Sequence, residues 1–479
     1  MAARPPRSGG PGCLFKFPEG VVTVRGTEKK ERVKSKLPGL EAKTPESLSI
    51  WIMGFANLIH GQIVKGLLFL AIEAGYIWFM ISSGVKGLNG LVTLGTQKQG
   101  WVTKPGSKIP ILSQGDNSML LMIYGVAVLV ITFIFIAVYI ANIASARKML
   151  AYKKAGQKAP GIVMDLKSLL DEKFHVTLMT PSIIGILMFT VLPLVFMILI
   201  AFTNYDKDHQ PPGNLFTWVG IDNFVAMLGA NKLLSGTFFP VLAWTLTWAV
   251  IATFSNYILG ILLSLLINKK GIRFKGMWRT FFVITIALPQ FISLLIMRNM
   301  FNVYGPINEV LVSMGAIADS ARIHFLDNET LARITVLVVN LWVGIPYTML
   351  IASGILMNIP VDMYEAARID GASPVKLFFK ITMPYMIFVT TPYLITQFIG
   401  NINNFNIIYL FTGGGPTTTA YYQAGKTDLL VTWLYKLTAN NRDYNLASTI
   451  GIIVFVISAT VSLIAYRNTV AYKREEEFS

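Results

Sequence analysis

One cysteine, Cys13, stands in 479 residues, so an internal disulfide is excluded. Histidine is nearly as sparse: His60, His175, His209 and His324 lie far apart and show no metal-ligand spacing. Charge is scarce as well. Only 14% of residues are Asp, Glu, Lys or Arg and 53% are hydrophobic, whereas soluble domains carry about 25% charge. A single soluble core is therefore excluded. Acids are the scarcer charges, 25 against 41 basic residues, for a net charge of +16. Such an excess can signal nucleic acid, but here it gathers in alternate loops between apolar runs, as membrane topology requires. No apolar signal-type segment follows a short basic start, so no cleaved signal peptide is expected. No Ser/His/Asp set, paired-acid cleft or metal cluster is visible, so no catalytic or metal residue is expected.

What the chain has in abundance is apolar sequence. Runs at about 66–83, 118–145, 178–203, 241–267, 279–300, 333–357, 385–411 and 446–466 are each near the ~20 residues that cross ~30 Å of hydrocarbon. Lipid cannot satisfy open backbone groups, so each is expected to be helical. The fold class expected is an all-α membrane protein with about eight transmembrane helices. Thirty Phe and nine Trp suit lipid contact and interface belts. Residues 48–64 are apolar but broken by Asn57, His60 and Gln62, a composition suited to the interface before the first full span.

Basic residues set the orientation. The 146–177 loop carries Arg147, Lys148, Lys153, Lys154, Lys158, Lys167 and Lys173; 268–278 carries Lys269, Lys270, Arg273 and Lys275; the tail carries Arg467, Lys473 and Arg474. Loop 204–240 has only Lys207 and Lys232. Both termini are thus expected on the cytoplasmic side. Loops 84–117, 204–240, 301–332 and 412–445 are expected outside. Residues 1–47 read as a flexible cytosolic arm, in which Lys29, Lys30, Arg32, Lys34 and Lys36 meet lipid headgroups or solvent. Residues 48–165 read as an N-terminal membrane region and 166–479 as the transmembrane core.

Residues 359–384 are polar, helix-prone and set between two apolar runs. They read as helix, break, helix. Pro360 suits a first turn, with Asp362, Glu365, Ala366, Ala367 and Arg368 following as helix formers. Asp370 precedes Gly371, which suits a left-handed C-cap. Ser373 and Pro374 suit N-cap and N1 of a second helix striped by Leu377, Phe378 and Ile381. Pro384 is expected to end it. By charge this elbow is cytosolic. Alone it reads either as a helical cytosolic loop or as a docking element.

Polar residues recur inside two spans. Gln397, Asn401 and Asn404 follow i, i+4, i+7, and Asn340, Gly344 and Tyr347 show the same spacing one span earlier. Amides in spans face a bundle interior or a cavity. They serve either as interhelical hydrogen-bonding groups beside a packing glycine or as the polar lining of one cavity. Asn offers donor and acceptor to sugar hydroxyls. On that second reading Tyr347 and Phe405 stack on a pyranose and Gly344 leaves room for it. Glu73, within the first span, admits an ion-coupling reading or a neutralised one, with Lys65 near. Arg298, near the outer end of its span, is expected to snorkel. The GKT at 425–427 is not a phosphate loop: Ala420 stands where its first glycine belongs, and no strand precedes it.

EAARIDGAS (365–373) followed by FFKITMP (378–384) resembles the coupling loop of ABC-importer permease subunits, most closely the larger, MalF-type subunit of maltose and maltodextrin systems. FTNYD (202–206), WVGIDNF (218–224), NLWVGIPY (340–347), NINNFN (401–406) and GGGP (413–416) with TDLLV (427–431) extend the resemblance over about 180–471. It implies an ABC type I importer permease fold in a bacterial plasma membrane. Loop 204–240 is too short for the large extracellular insert of Gram-negative members.

The resemblance implies substrate contacts at Asn340, Val343, Gly344, Tyr347, Asn401 and Asn404. Gln397 replaces a small hydroxyl residue of the family. It implies coupling to an ATPase through Glu365, Ala366, Ala367, Asp370 and Gly371, with Leu377 and Phe378 filling the ATPase cleft. The implied partners are a second homologous permease subunit, two ATPase subunits, an extracellular sugar-binding protein, an oligosaccharide and lipid, with no nucleic acid. No cofactor is expected in this chain, ATP and Mg being bound by the ATPase. The cargo implied is maltodextrin-like; galactan-type or other plant oligosaccharides are the nearest competitor. An ion-coupled sugar carrier and a membrane scaffold remain the other classes.

Overall fold

The structure, a computed structural model, describes residues 44–103, 109–171, 173–269 and 271–467. Cys13, the arm lysines and Arg32, Lys270, Lys473 and Arg474 lie outside the described residues. Among the described residues, seven helices are long and apolar enough to cross a membrane: α1 (Ile63–Thr93), α2 (Ser118–Lys154), α3 (Phe174–Ile200), α4 (Lys232–Asn268), α7 (Glu329–Leu356), α9 (Pro374–Thr412) and α10 (Tyr444–Arg467). The pair α5 (Lys275–Ala287) and α6 (Gln290–Met300), which meet at 91°, is apolar enough to count together as an eighth, broken span or as a re-entrant loop. The run 279–300 is therefore not one straight helix. Leu288 takes extended φ/ψ (−77°, 134°), the conformation favoured before proline, and Pro289 caps α6 instead of continuing α5. Helix α8 (Val361–Ile369) lies between α7 and α9. One hairpin departs from the all-α expectation: β1 (Gly100–Thr103) pairs antiparallel with β2 (Pro110–Ser113), Trp101 opposite Leu112.

Several helices begin earlier than their apolar runs because of local capping. Asn231 accepts from the amides of Leu233 and Leu234 at the start of α4, and Asn328 does so from Thr330 and Leu331 at the start of α7. Each cap satisfies amides that lack a helical partner.

The described residues divide into two compact units, one falling within Met1–Leu70 and Tyr139–Ile162, the other within Ala71–Val138 and Val163–Ser479. In the first, the described residues before α1 form two short elements. A 3-10 turn over Pro45–Ile50 and a short helix over Phe55–Ile59 are separated by Gly54 at φ +84°. In the second, α4 is the central pillar. Its Trp244 and Trp248 pack with Leu294, Val336, Val339, Ile408 and Phe411 towards one end. Its Tyr257 and Ile261 pack with Ala352 and Met386 towards the other. Small residues bring α4 and α7 together: a Cβ on Gly260 would lie 2.6 Å from Thr348 Cβ, and Ser264 meets Ser353 at 2.8 Å. Close backbone approach through small and hydroxyl residues is how helices associate where lipid supplies no hydrophobic drive.

Candidate functional site: a polar cavity and a protruding elbow

Between α4, α7, α9 and the α5–α6 break lies a cavity of about 460 Å³. All seven residues singled out for substrate contact line it: Asn340, Val343, Gly344 and Tyr347 from α7, and Gln397, Asn401 and Asn404 from α9. The helical spacing accounts for the α7 set. On α9 the helix is interrupted at Asn403 and Asn404, so Asn404 reaches the cavity through a break and not through an unbroken 3.6-residue repeat. Its Oδ1 accepts from the Ile407 amide (3.3 Å) and its Nδ2 donates to Asn401 Oδ1 (3.4 Å). Asn401 Nδ2 in turn donates to Thr253 Oγ1 of α4 (2.9 Å).

Three contributors escape a reading of spacing. Asn256 of α4 is buried with Oδ1 unpaired within the chain, and Asn340 is buried with Nδ2 unpaired. An acceptor and a donor thus stand in one cavity lining without protein partners. Gln290 and Ser293 enter because the 91° break points the start of α6 at the cavity. A run of continuous apolar character gave no signal of that break beyond Pro289. Among the described residues, no Asp, Glu, Lys, Arg or His lines the cavity.

Two expectations are corrected. Gly344 does not leave room for a ligand: a Cβ there would lie 2.2 Å from Asn256 Nδ2, so the glycine accommodates the α4 amide. Phe405 is absent from the lining; it stacks on Tyr409 (centroids 4.8 Å) and meets Tyr435 edge-on (4.9 Å). Tyr347, half-exposed, is the aromatic surface the cavity does offer, beside Trp342.

The 413–443 segment contributes no residue to the cavity lining. Gly414, at φ +79°, sits where a Cβ would strike the Asp428 carboxylate (2.0 Å). Asp428 is buried against Lys436 (2.6 Å) and takes the Gly425 amide (2.6 Å). Gly425 of the GKT stretch therefore serves this carboxylate, and the segment is a packed turn. Trp244 of α4 donates to Thr427 O (3.2 Å). Burial, followed by the hydrogen bond to Asp443, pushes the Tyr422 hydroxyl up to about 12.

At the opposite ends of α7 and α9 stands the elbow. Glu365, Ala366, Asp370 and Gly371 are exposed and Ala367 half-buried. Gly371 takes φ +72°, where its amide bonds Arg368 O (3.0 Å) and a β-carbon is disfavoured. Ser373 Oγ accepts from the Lys376 amide (3.3 Å), as an N-cap does. Tyr364 ties α8 to α9 through Thr382 (2.9 Å).

Three details differ from the sequence reading. Pro360 is the residue before the helix and not in its first turn. Pro384 does not end the second helix: a widened i→i+5 turn over Phe378–Thr382 precedes it, relieving the ring's clash with the preceding turn, and the span runs on to Thr412. Leu377 is buried, and Phe378 packs on the Tyr257–Ile261–Ala352–Met386 cluster, so neither is presented outward. The outward apolar side chains include Val361, Met363, Ile369, Val375 and Phe379, with Ile369 87% exposed.

A family profile described as "Binding-protein-dependent transport system inner membrane component" matches residues 256–471. The galactooligosaccharides transport system permease protein GanP of Bacillus subtilis is 33% identical over 425 residues, 88% of this chain and 97% of that protein. The maltodextrin transport system permease protein MdxF of the same organism is 35% identical over 433 residues, 89% of this chain and 95% of that protein. Among solved structures, a bacterial ABC transporter involved in import of the acidic polysaccharide alginate has a chain of like fold, with TM-score 0.52 and 22% identity over 63% of this chain and 96% of that one.

Proposed function

The chain belongs to the family of inner-membrane components of binding-protein-dependent transport systems, and from that premise we propose that it is the permease subunit of an ATP-driven ABC importer of neutral oligosaccharides. The observation that carries this reading is the cavity: amides and hydroxyls on five helices, an aromatic face at Tyr347, and, among the described residues, no Asp, Glu, Lys, Arg or His in the lining. Sugar hydroxyls need donors and acceptors in equal measure, and Asn and Gln supply both. Asn256 Oδ1 and Asn340 Nδ2, unpaired within the chain, are the groups that gain most from a hydroxyl between them.

Maltodextrin-like sugars are the cargo class, and galacto-oligosaccharides are the second reading, favoured by the 33% identity to GanP. ATP and Mg²⁺ belong to two partner ATPase subunits, and this chain holds no cofactor of its own. The elbow meets one ATPase, Glu365 and Asp370 offering carboxylates to basic groups there. A second homologous permease completes the pore, and an extracellular binding protein delivers the sugar to the 413–443 side. Both termini are cytoplasmic. When the ATPases close on ATP, the elbows move with them and alternating access turns the cavity outward.

Uptake of a radiolabelled oligosaccharide into inverted-control and right-side-out vesicles tests the energy source. The reading expects accumulation with internal ATP and none with an ion gradient alone. Accumulation driven by the gradient without ATP would establish the secondary-carrier reading, with Glu73 of α1 as its first suspect.

A further inference from the structure

Residues 44–62 descend along α2 and climb back. On the way down, Glu46 takes Lys153 Nζ (2.8 Å), Ser49 O takes Asn142 Nδ2 (2.8 Å) and Ile50 O takes the Tyr139 hydroxyl (3.0 Å). On the way up, the Gly54 amide donates to Asn142 Oδ1 (2.9 Å), Asn57 Nδ2 donates to Ser145 Oγ (2.9 Å) and Gln62 Nε2 donates to Pro160 O (2.8 Å). The partners on the α2 side thus run 153, 142, 139, then 142, 145, 160. The deepest is Tyr139.

Depth follows from α2 itself. From Ser118 onward its first charged residue is Arg147. Tyr139 lies eight residues to the apolar side, about 12 Å at 1.5 Å per residue. The tip beside it is apolar and unpartnered: Ile50, Trp51 and Ile52 are 39%, 80% and 43% exposed. The limbs hide their polarity from such surroundings. Asn57 also donates to Gln62 Oε1 (2.6 Å), and Ser49 Oγ accepts the Ala56 amide (2.7 Å). Internal pairing of this kind is what a segment below the headgroups requires. The turn itself needs glycine: at φ +84°, a Cβ on Gly54 would lie 2.2 Å from Gly66 O. On α2, Tyr139, Ile140, Ile143, Ala144 and Arg147 line a groove of about 300 Å³, apolar along its length with one guanidinium at its end. That layout matches a phospholipid lying along the helix with its phosphate at Arg147.

We propose that residues 44–62 form a re-entrant hairpin inserted into the leaflet that carries Arg147, with Trp51 among the acyl chains and Arg147 at phosphate level. Its partner is phospholipid. The hairpin penetrates the bilayer end-on and does not lie flat in the interface.

Spin-label accessibility tests this. The full chain, purified with its accompanying subunits on a cysteine-free background (Cys13→Ala in this chain), is reconstituted into phosphatidylethanolamine–phosphatidylglycerol vesicles. Nitroxides are placed by Trp51→Cys, Ile52→Cys and, as a reference, Lys154→Cys. The labels at 51 and 52 are expected to relax more with oxygen than with a water-soluble nickel chelate, and the label at 154 the reverse. Nickel accessibility at 51 and 52 equal to that at 154 would overturn the proposal by placing the tip in water. Inaccessibility of both sites to both agents would overturn it equally, since a protein partner would then cover the tip. Two tip positions guard against one substitution disturbing the turn.

Discussion

A methyl group at position 344 would have to displace the Asn256 amide, since its carbon would stand 2.2 Å from Asn256 Nδ2. Gly344→Ala is expected to lower stability by about 1–3 kcal/mol, the usual range for overpacking, seen as a lower unfolding temperature in detergent. Adding Asn256→Ala should restore part of the loss, because it removes the obstructing amide. An unchanged unfolding temperature in the single variant would show that α4 and α7 do not approach so closely here. Asn401→Leu removes both a cavity amide and the bond to Thr253. Sugar stimulation of the complex should fall while assembly with its partners persists; equal sugar dependence would take Asn401 out of the site.

Glu46 gives a pH prediction. Burial opposes its ionisation, but Lys153, its own backbone amide and His60 outweigh that and hold the carboxyl below its ordinary 4.5. A depressed folded-state value means that the stabilisation is present above about pH 4.5 and fades as pH falls through the folded value. The unfolding-temperature gap between wild type and Glu46→Gln should hold steady from pH 7.5 to 5 and shrink below 4.5. A gap that stays constant through pH 4 would exclude a pairing role for this carboxylate.

At the scale of elements, the elbow shows what local chemistry reveals and what it hides. Gly371 and Ser373 were legible as caps because each satisfies its backbone within a few residues, and the structure has both. Pro384 was not: whether a proline stops a helix depends on the preceding turn, and the widened turn at 378–382 is written in no single residue. The side on which Leu377 and Phe378 lie was also illegible, since an apolar stripe does not say which neighbour it meets. Gly371→Asp should abolish uptake while membrane insertion survives, because a branched acidic side chain enters a left-handed turn at φ +72°. Uptake at the normal rate would remove the turn from coupling. With Leu377 buried and Ile369 exposed, Ile369→Ser is expected to weaken ATPase association in a pull-down more than Leu377→Ala, whose loss should appear as reduced thermal stability. The reverse order would return Leu377 to the docking surface.

For the molecule as a whole, seven of the eight apolar runs correspond to helices long and apolar enough to cross a membrane, and the remaining one to a bent helix pair. The bend within the fifth was not foreseeable from hydropathy, which is continuous across Leu288 and Pro289. Nor was Asn256 as a cavity residue, because a lone amide in a long span reads equally well as packing. The two polar faces on α7 and α9 line one cavity, one of the two readings that their shared spacing left open. The central claim is that this uncharged cavity governs a neighbour's ATP hydrolysis according to the sugar in it. The most direct measurement is ATP hydrolysis by the assembled, reconstituted complex with its binding protein, across neutral gluco- and galacto-oligosaccharides and their uronate counterparts. The account predicts stimulation by at least one neutral series, none by uronates, and loss of the response in Asn401→Leu. Hydrolysis indifferent to every sugar, or stimulated by uronates alone, would contradict it.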